Sequence, residues 1–417
     1  LEFRRVLFRS QSGDDTDTIT IFGTIDAGLN TIVIDGGAGA DSVLLETPTL
    51  TGEASVLGGD DEDSIVVDQL PSQAAGDSLR LDGGGNTDTY TINIAGGATD
   101  YVIDVDDSGA ENDGADTLTI NGLDNPSTGD VFLLRKNFVA KLDGTFVSPD
   151  VGQPATYNQN SSTAERINYN ATINGRMRLN TLAGDDYVAS DDNSALTTID
   201  GGEGTDTFQI GQVFASERNE GTFGIAAGDG VETTQVLFGF LADETPVPVE
   251  LSRGISLATV IYGGDGDDKF AVYSNKAQLK LFGEADDDEF VVRAFALFDV
   301  DINTGAGADV VEYNINAPVS IDGGLGTDTV VVIGTEVADS FVITDEGIFG
   351  AGLTIEIVDI EKLEIDAMEG DDHFFVLSTK AGIVTTLIGG LGSDTIDVAG
   401  DVTEEIVSYS VEIGRAH

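Results

Sequence analysis

The chain runs to 417 residues, with 75 acidic against 19 basic side chains, a formal charge of −56, 40% hydrophobic residues and no cysteine. That charge excludes nucleic acid, whose phosphates it would repel, and anionic membrane surfaces, and it leaves cations as the natural partner. The apolar content argues against wholesale disorder, and the missing cysteines exclude both a disulfide framework and a thiolate metal site.

Aspartate outnumbers glutamate about two to one, and there are 53 glycines against 8 prolines. Aspartate sits poorly in helices but well in turns and as a hard oxygen ligand. With no sustained 3.6-residue periodicity, the expectation is an all-β protein. No stretch approaches the ~18 apolar residues of a membrane span, so no membrane insertion is expected.

In chain order, the first residues look foreign. Val6 to Ser10 and, at the other end, Ile413 to His417 can be encoded by DNA stretches that are largely reverse complements and resemble a sequencing-library adapter. Residues 1–10 and 413–417 are therefore set aside from fold reasoning. From residue 11 a short unit recurs: a glycine-rich turn ending in aspartate, followed by an alternating apolar strand such as Ile65 and Val67 or Thr207-Phe208-Gln209-Ile210. It ends at Asp17, Asp41, Asp63, Asp88, Asp116, Asp186 and Asp206, which defines a first repeat unit over 11–210. Within that unit 137–170 is less acidic and carries Pro149 and Pro154, and is expected to loop out. Residues 211–256, with Pro246 and Pro248 and no such motif, are expected to be a connector or interrupting module.

The second unit, 257–412, holds the clearest copies. Its anchoring aspartates 268, 288, 309 and 328 are about twenty residues apart, and further copies end at Asp372 and Asp394. A longer repeat lies above the short one: Gly129 to Leu134, Glu165 to Ile167 and Gly184 to Asp186 parallel Ala338 to Ile343, Glu361 to Leu363 and Gly370 to Asp372.

Period-2 strands joined by glycine turns every twenty or so residues describe coils of a right-handed parallel β-solenoid, with two strands and two turns per coil. Coils stacked at ~4.8 Å bring equivalent residues into ladders, one apolar and one of carboxylates. Carboxylates ~4–5 Å apart repel by roughly 1 kcal/mol in bulk water and several-fold more near protein, and a cation between coils removes that repulsion. Glycine supplies positive φ and lets backbone carbonyls come close, and six to eight carbonyl and carboxylate oxygens are what Ca²⁺ takes.

Gly323 to Val331, Gly389 to Asp397 and Gly36 to Leu44 resemble the nonapeptide of hemolysin-type (RTX) calcium-binding repeats. In that family the nonapeptide recurs in tandem on both edges of a β-roll, with Ca²⁺ between same-edge turns of consecutive coils. Here it occurs once per coil. The resemblance therefore implies a β-roll-like fold with one calcium edge, the other carrying ordinary turns such as Tyr273-Ser274-Asn275-Lys276. The ligands it implies are Asp41, Asp63, Asp186, Asp206, Asp268, Asp288, Asp309, Asp328, Asp372 and Asp394. With them come Gly264, Gly266, Gly305, Gly307, Gly324, Gly326, Gly390 and Gly392 of the turns, and Ca²⁺ as the bound ion.

Enzymatic readings fare poorly. Only His373 and His417 exist, so a Ser-His-Asp arrangement or a zinc centre would rest on His373, which is expected on the surface. A carboxylate-based polysaccharide hydrolase or lyase on a β-helix is the alternative, against which stand the absence of Trp and the scarcity of Arg and Lys in the repeats. A metal-free structural solenoid is the third reading. The expectation is a non-enzymatic, calcium-binding structural or adhesive segment of a larger secreted or cell-surface protein, with cell-surface or matrix ligands as partners beside calcium. Calcium sites with the ~10⁻⁴–10⁻³ M affinities of extracellular modules fill only at extracellular calcium levels.

Overall fold

The structure, a computed structural model, describes residues 7–9, 15–26, 32–110, 113–147, 156–213, 234–238, 247–293, 298–314, 319–335, 337–350, 353–355 and 357–398. Among them there is no helix, and nearly all pairing outside a few hairpins is parallel. Strand formation follows from the alternating sequence: in Ser64–Asp68, Ile65 and Val67 are buried while the residues between them face outward. Two compact units form, one of Leu1–Glu203 with Gln212–Thr259, the other of Gly204–Gly211 with Val260–His417.

In the first unit consecutive strands alternate between two sheets, except that Val131–Arg135, Phe138–Val147 and Thr156–Asn168 all lie in one. The first sheet runs Leu7–Arg9, Ile32–Ala38, Glu53–Asp60, Ser78–Gly84, Tyr101–Asp106, Thr156–Asn168, Phe138–Val147, Val131–Arg135 and Tyr187–Ser190. The second runs Thr18–Asp26, Ser42–Thr51, Ser64–Asp68, Thr89–Asn93, Thr117–Asn121, Met177–Asn180 and Thr197–Glu203. Register stacks like on like. Ile32, Ala54, Leu79, Ile103 and Ile167 form one buried column, and Val43, Ile65, Tyr90, Leu118 and Met177 another.

The described parts of the segment 137–170, expected to loop out, stay largely in the first sheet. Phe138–Val147 pairs antiparallel with Val131–Arg135 and with Thr156–Asn168, and the latter pairs parallel with Tyr101–Asp106. The hairpin bends at the irregularity between Leu142 and Gly144 and lays Phe146 on Tyr187, ring centroids 3.6 Å apart. The sheet is thereby covered on both faces, and Phe138 through Leu142 are all buried. Of 211–256, Thr234–Phe238 and Val247–Leu251 form an antiparallel hairpin. At the N-terminus Leu7–Arg9, set aside above, aligns in parallel with Val33 to Asp35. Residues 413–417 lie outside the described residues.

In the second unit one sheet runs Thr207–Ile210, Lys269–Val272, Glu289–Val292, Val310–Asn314, Thr329–Ile333, Lys362–Asp366 and Val384–Ile388. Its inner column is Phe208, Phe270, Phe290, Val311, Val330 and Leu363, with Phe270 and Phe290 stacked 4.5 Å apart at 2°. The second sheet holds Thr259–Asp265, Leu279–Ala285, Val300–Asn303, Val319–Asp322 and Ile357–Val358. A third, five-stranded sheet holds Ser340–Ile343, His373–Val376 and Thr395–Val398 in parallel, with the hairpin strands Ile348–Gly350 and Leu353–Ile355 added at its side.

The anchoring aspartates do not keep to one edge. Asp17, Asp41, Asp63, Asp88 and Asp116 each precede a strand of the second sheet, whereas Asp130 and Asp186 precede strands of the first. Because these strands are parallel, the two sets lie at opposite ends of the first-sheet strands. The expectation of a single edge is corrected accordingly. The change falls at the hairpin around Val131–Arg135, and in the second unit an equivalent change falls between Asp328 and Asp339, at the hairpin around Ser340–Ile343. The long sequence repeat marks these two places.

Candidate metal centre

Each glycine turn delivers its aspartate side chain inward, where Oδ1 accepts the backbone N–H of the aspartate one repeat earlier. In the first unit Asp17, Asp41, Asp63 and Asp88 donate in turn to Asp41, Asp63, Asp88 and Asp116 at 2.7, 2.7, 2.8 and 2.9 Å. Asp130 donates to Asp186 at 2.5 Å. In the second unit Asp206, Asp268, Asp288 and Asp309 donate to Asp268, Asp288, Asp309 and Asp328 at 2.7, 2.8, 2.8 and 3.1 Å. There too Asp339 donates to Asp372, and Asp372 to Asp394. All ten aspartates foreseen as ligands thus lie in such ladders, nearly all of them buried, with Asp394 exposed.

The second oxygen is in a different position. Oδ2 of Asp41, Asp63, Asp88, Asp116, Asp268, Asp288, Asp309, Asp328 and Asp372 is buried with no hydrogen-bond partner. A buried polar atom in this state calls for a ligand or a proton, since leaving it bare costs about 1–3 kcal/mol.

That atom rests against the first glycine of the turn. A Cβ on Gly36 would lie 2.5 Å from Asp41 Oδ2 and 2.6 Å from the carbonyl oxygen of Gly58 in the next repeat. Gly263 is likewise pressed by Asp268 Oδ2, with the Gly283 carbonyl oxygen 2.9 Å from its notional Cβ. An orphaned carboxylate oxygen and a backbone carbonyl thus converge where a side chain would otherwise be. The sequence pointed instead to later glycines of the turn. Gly264, Gly266, Gly305, Gly324, Gly326, Gly390 and Gly392 take positive φ and shape the turn, whereas Gly307 does not. Gly266, at φ +122°, also brings its Cα against the Gly204 carbonyl, so a larger residue would meet both strain and contact.

Burial dominates the electrostatics. Desolvation pushes the Asp268 and Asp288 carboxyls up to about 8, with neighbouring carboxylates adding to it: Asp206, Asp288 and Asp267 for the first, Asp309, Asp267 and Asp286 for the second. The same cause raises Asp88 to about 7 and Asp63 and Asp328 to about 6. The backbone N–H on Oδ1 opposes the rise in every case.

The ladders that begin at Asp17 and at Asp206 each end on a residue the repeat motif does not contain. Asp116 donates to Asn174 Oδ1 at 2.9 Å, and Asp328 to Glu361 Oε2 at 2.9 Å. The aspartates that begin the new edge also differ, because their Oδ2 is satisfied: Asp130 accepts Leu123 N–H, and Asp339 accepts the N–H and hydroxyl of Thr335. Turns at the opposite end of the strands from these aspartates carry buried asparagines. Asn193 holds the turn around Ala195 and the chain at Leu257, and Asn275 donates to Ala277 and Phe298 carbonyls. His373 is half-exposed at the start of its strand, its Nε2 2.8 Å from Asp397 Oδ2 and its ring on Phe375.

The donor set in the turns is all oxygen, carboxylate and carbonyl, and contains orphaned buried oxygens. This fits a hard cation such as calcium and not a nitrogen- or sulfur-seeking one. No family model matches the chain, and no curated protein matches it.

Proposed function

We propose that the chain is a calcium-binding structural or adhesive repeat segment of a larger secreted or cell-surface protein. On this reading its alternating parallel sheets are the faces of a right-handed parallel β-solenoid, of the kind the RTX-like motifs imply. The observation that carries it is the run of buried, partnerless Oδ2 atoms, of which those of Asp41, Asp63, Asp268 and Asp288 each lie beside the first glycine of the turn, where a backbone carbonyl of the following repeat also converges. Those oxygens would hold the ion, which when bound neutralises the carboxylates and ties one coil to the next. Calorimetric titration of the full chain with calcium tests this directly. Saturable uptake of several ions with a rise in melting temperature is expected; no heat and no change in melting would overturn it.

A second reading is favoured by the backbone bonds to Oδ1 and by the raised Asp268 and Asp288 carboxyls: the ladder is a metal-free structural device whose second oxygens carry protons. The same titration separates the two. A metal-free ladder takes up no calcium at neutral pH.

A further inference from the structure

The ladder in the first unit stops at Asn174, a neutral side chain, so the coil that ends in Asp116 has no following carboxylate to share an ion with. At that coil the sequence breaks its own pattern. Pairing of Leu57 with Asp82 and of Asp82's neighbour Leu81 with Val105 places Gly58, Gly83 and then Asp107 at the same point of successive coils. Where earlier coils need a glycine, this one carries an aspartate, in a turn from Asp107 to Asp116 that is longer than the six-residue turns before it.

The extra carboxylate completes a cluster. One carboxylate oxygen from each of Asp88, Asp107 and Asp116 falls within 4.8 Å of the other two. Asp88 and Asp116 are 1% and 0% exposed, and the Oδ2 atom of each is buried without a partner. Asp107 is half-buried and forms the solvent side. Its Oδ1 accepts the Gly84 N–H at 3.2 Å, which holds the side chain over the other two. Among the described residues no ion pair reaches the three: the nearby Arg80 is taken by Asp82 and Asp106.

We propose that Asp88, Asp107 and Asp116 form a discrete site for a hard divalent cation, calcium in the first instance, built differently from the repeated turns because its third carboxylate replaces a turn glycine. The site uses two ladder aspartates but does not depend on other rungs binding ions. It puts a cation at the last aspartate rung before the ladder changes edge, where the missing carboxylate at Asn174 is made good from within the coil. Three carboxylates and no His or Cys select an oxygen-seeking ion, and the half-exposed Asp107 leaves a way in.

The test uses the full chain with Tb³⁺ as a luminescent stand-in for calcium and calcium as competitor. Tyr90, whose hydroxyl donates to the Asp106 carbonyl at 3.0 Å, is placed to sensitise an ion beside Asp107. Asp107→Asn keeps the acceptor for Gly84 and removes the charge; Asp107→Gly restores the residue of the earlier coils and serves if the first variant does not fold. Either is expected to lose one equivalent of calcium-displaceable Tb³⁺, or to weaken that equivalent at least tenfold, with unchanged circular dichroism. Asp288→Asn, in the other unit, is expected to leave the Tyr90-sensitised emission intact. Equal stoichiometry and emission in wild type and both Asp107 variants would overturn the site. Loss of one equivalent in the Asp107 variants with no effect of Asp288→Asn on any ion would uphold it and count against ion binding along the ladder.

Discussion

At a single rung, the two oxygens of an aspartate have separable duties, and substitutions can divide them. Asp288→Asn retains an acceptor for Asp268 N–H but loses the charge at Oδ2, so the metal-free protein should melt at an unchanged or higher temperature while its gain on adding calcium shrinks. Asp288→Ala strands a buried N–H and should cost about 1–3 kcal/mol even in chelator. Lys276→Ala, in a turn at the other end of the coil, should change neither quantity; thermal melts of the three variants with calcium and with chelator decide it. The first glycine gives a second prediction. Gly263→Ala puts a methyl into Asp268 Oδ2 and should destabilise by about 1–3 kcal/mol or more with loss of calcium response. Gly76→Ala has positive φ but open space around it, and should cost only the roughly 1–2 kcal/mol of a left-handed residue, with the calcium response kept. The anchors themselves were legible in the sequence because aspartate closing a glycine turn is a local pattern. Asn174, Glu361 and Asp107 were not, since their roles arise from stacking across 58, 33 and 23 residues, where no local signal exists.

Among elements, strands were readable wherever one face is buried, because alternation then survives in the sequence. The hairpin at 137–170 escaped for the opposite reason. Phe138 to Leu142 is buried on both faces, so alternation vanishes, and Pro149 and Pro154 gave the segment the look of a loop. The long repeat was visible, but its meaning as the place where the aspartate edge changes depends on antiparallel pairing that composition does not encode. Stacked columns also concentrate stability. Phe290 is fully buried between Phe270 and Val311, and its replacement by alanine should cost about 3–5 kcal/mol, with stacking adding ~0.5–1.5 kcal/mol. Denaturant titration in calcium should show a lower midpoint; an unaltered midpoint would mean that the aromatic column is not what holds these coils together.

For the whole molecule, the raised carboxyls set how stability responds to pH, and the response differs with and without calcium. A carboxyl whose pKa is higher in the folded than in the unfolded chain binds its proton more tightly when folded, so its contribution is complete below the unfolded value near 3.8 and is lost as pH rises through the folded value. For Asp268 and Asp288 that loss extends to about 8, for Asp88 to about 7, and for Asp63 and Asp328 to about 6. In chelator, melting temperature should therefore fall continuously from about pH 4 to about pH 8. Calcium requires the deprotonated carboxylates, so the stabilisation it brings should grow across the same window. At millimolar calcium and dissociation constants of ~10⁻⁴–10⁻³ M each occupied site adds about 1 kcal/mol by mass action, so several sites together rival the stability of a domain. Melting curves with and without calcium should then lie close together near pH 5 and diverge toward pH 8. A protein that loses stability with rising pH by the same amount in both conditions would have its ladder neutralised by protons alone, and the calcium reading would fail.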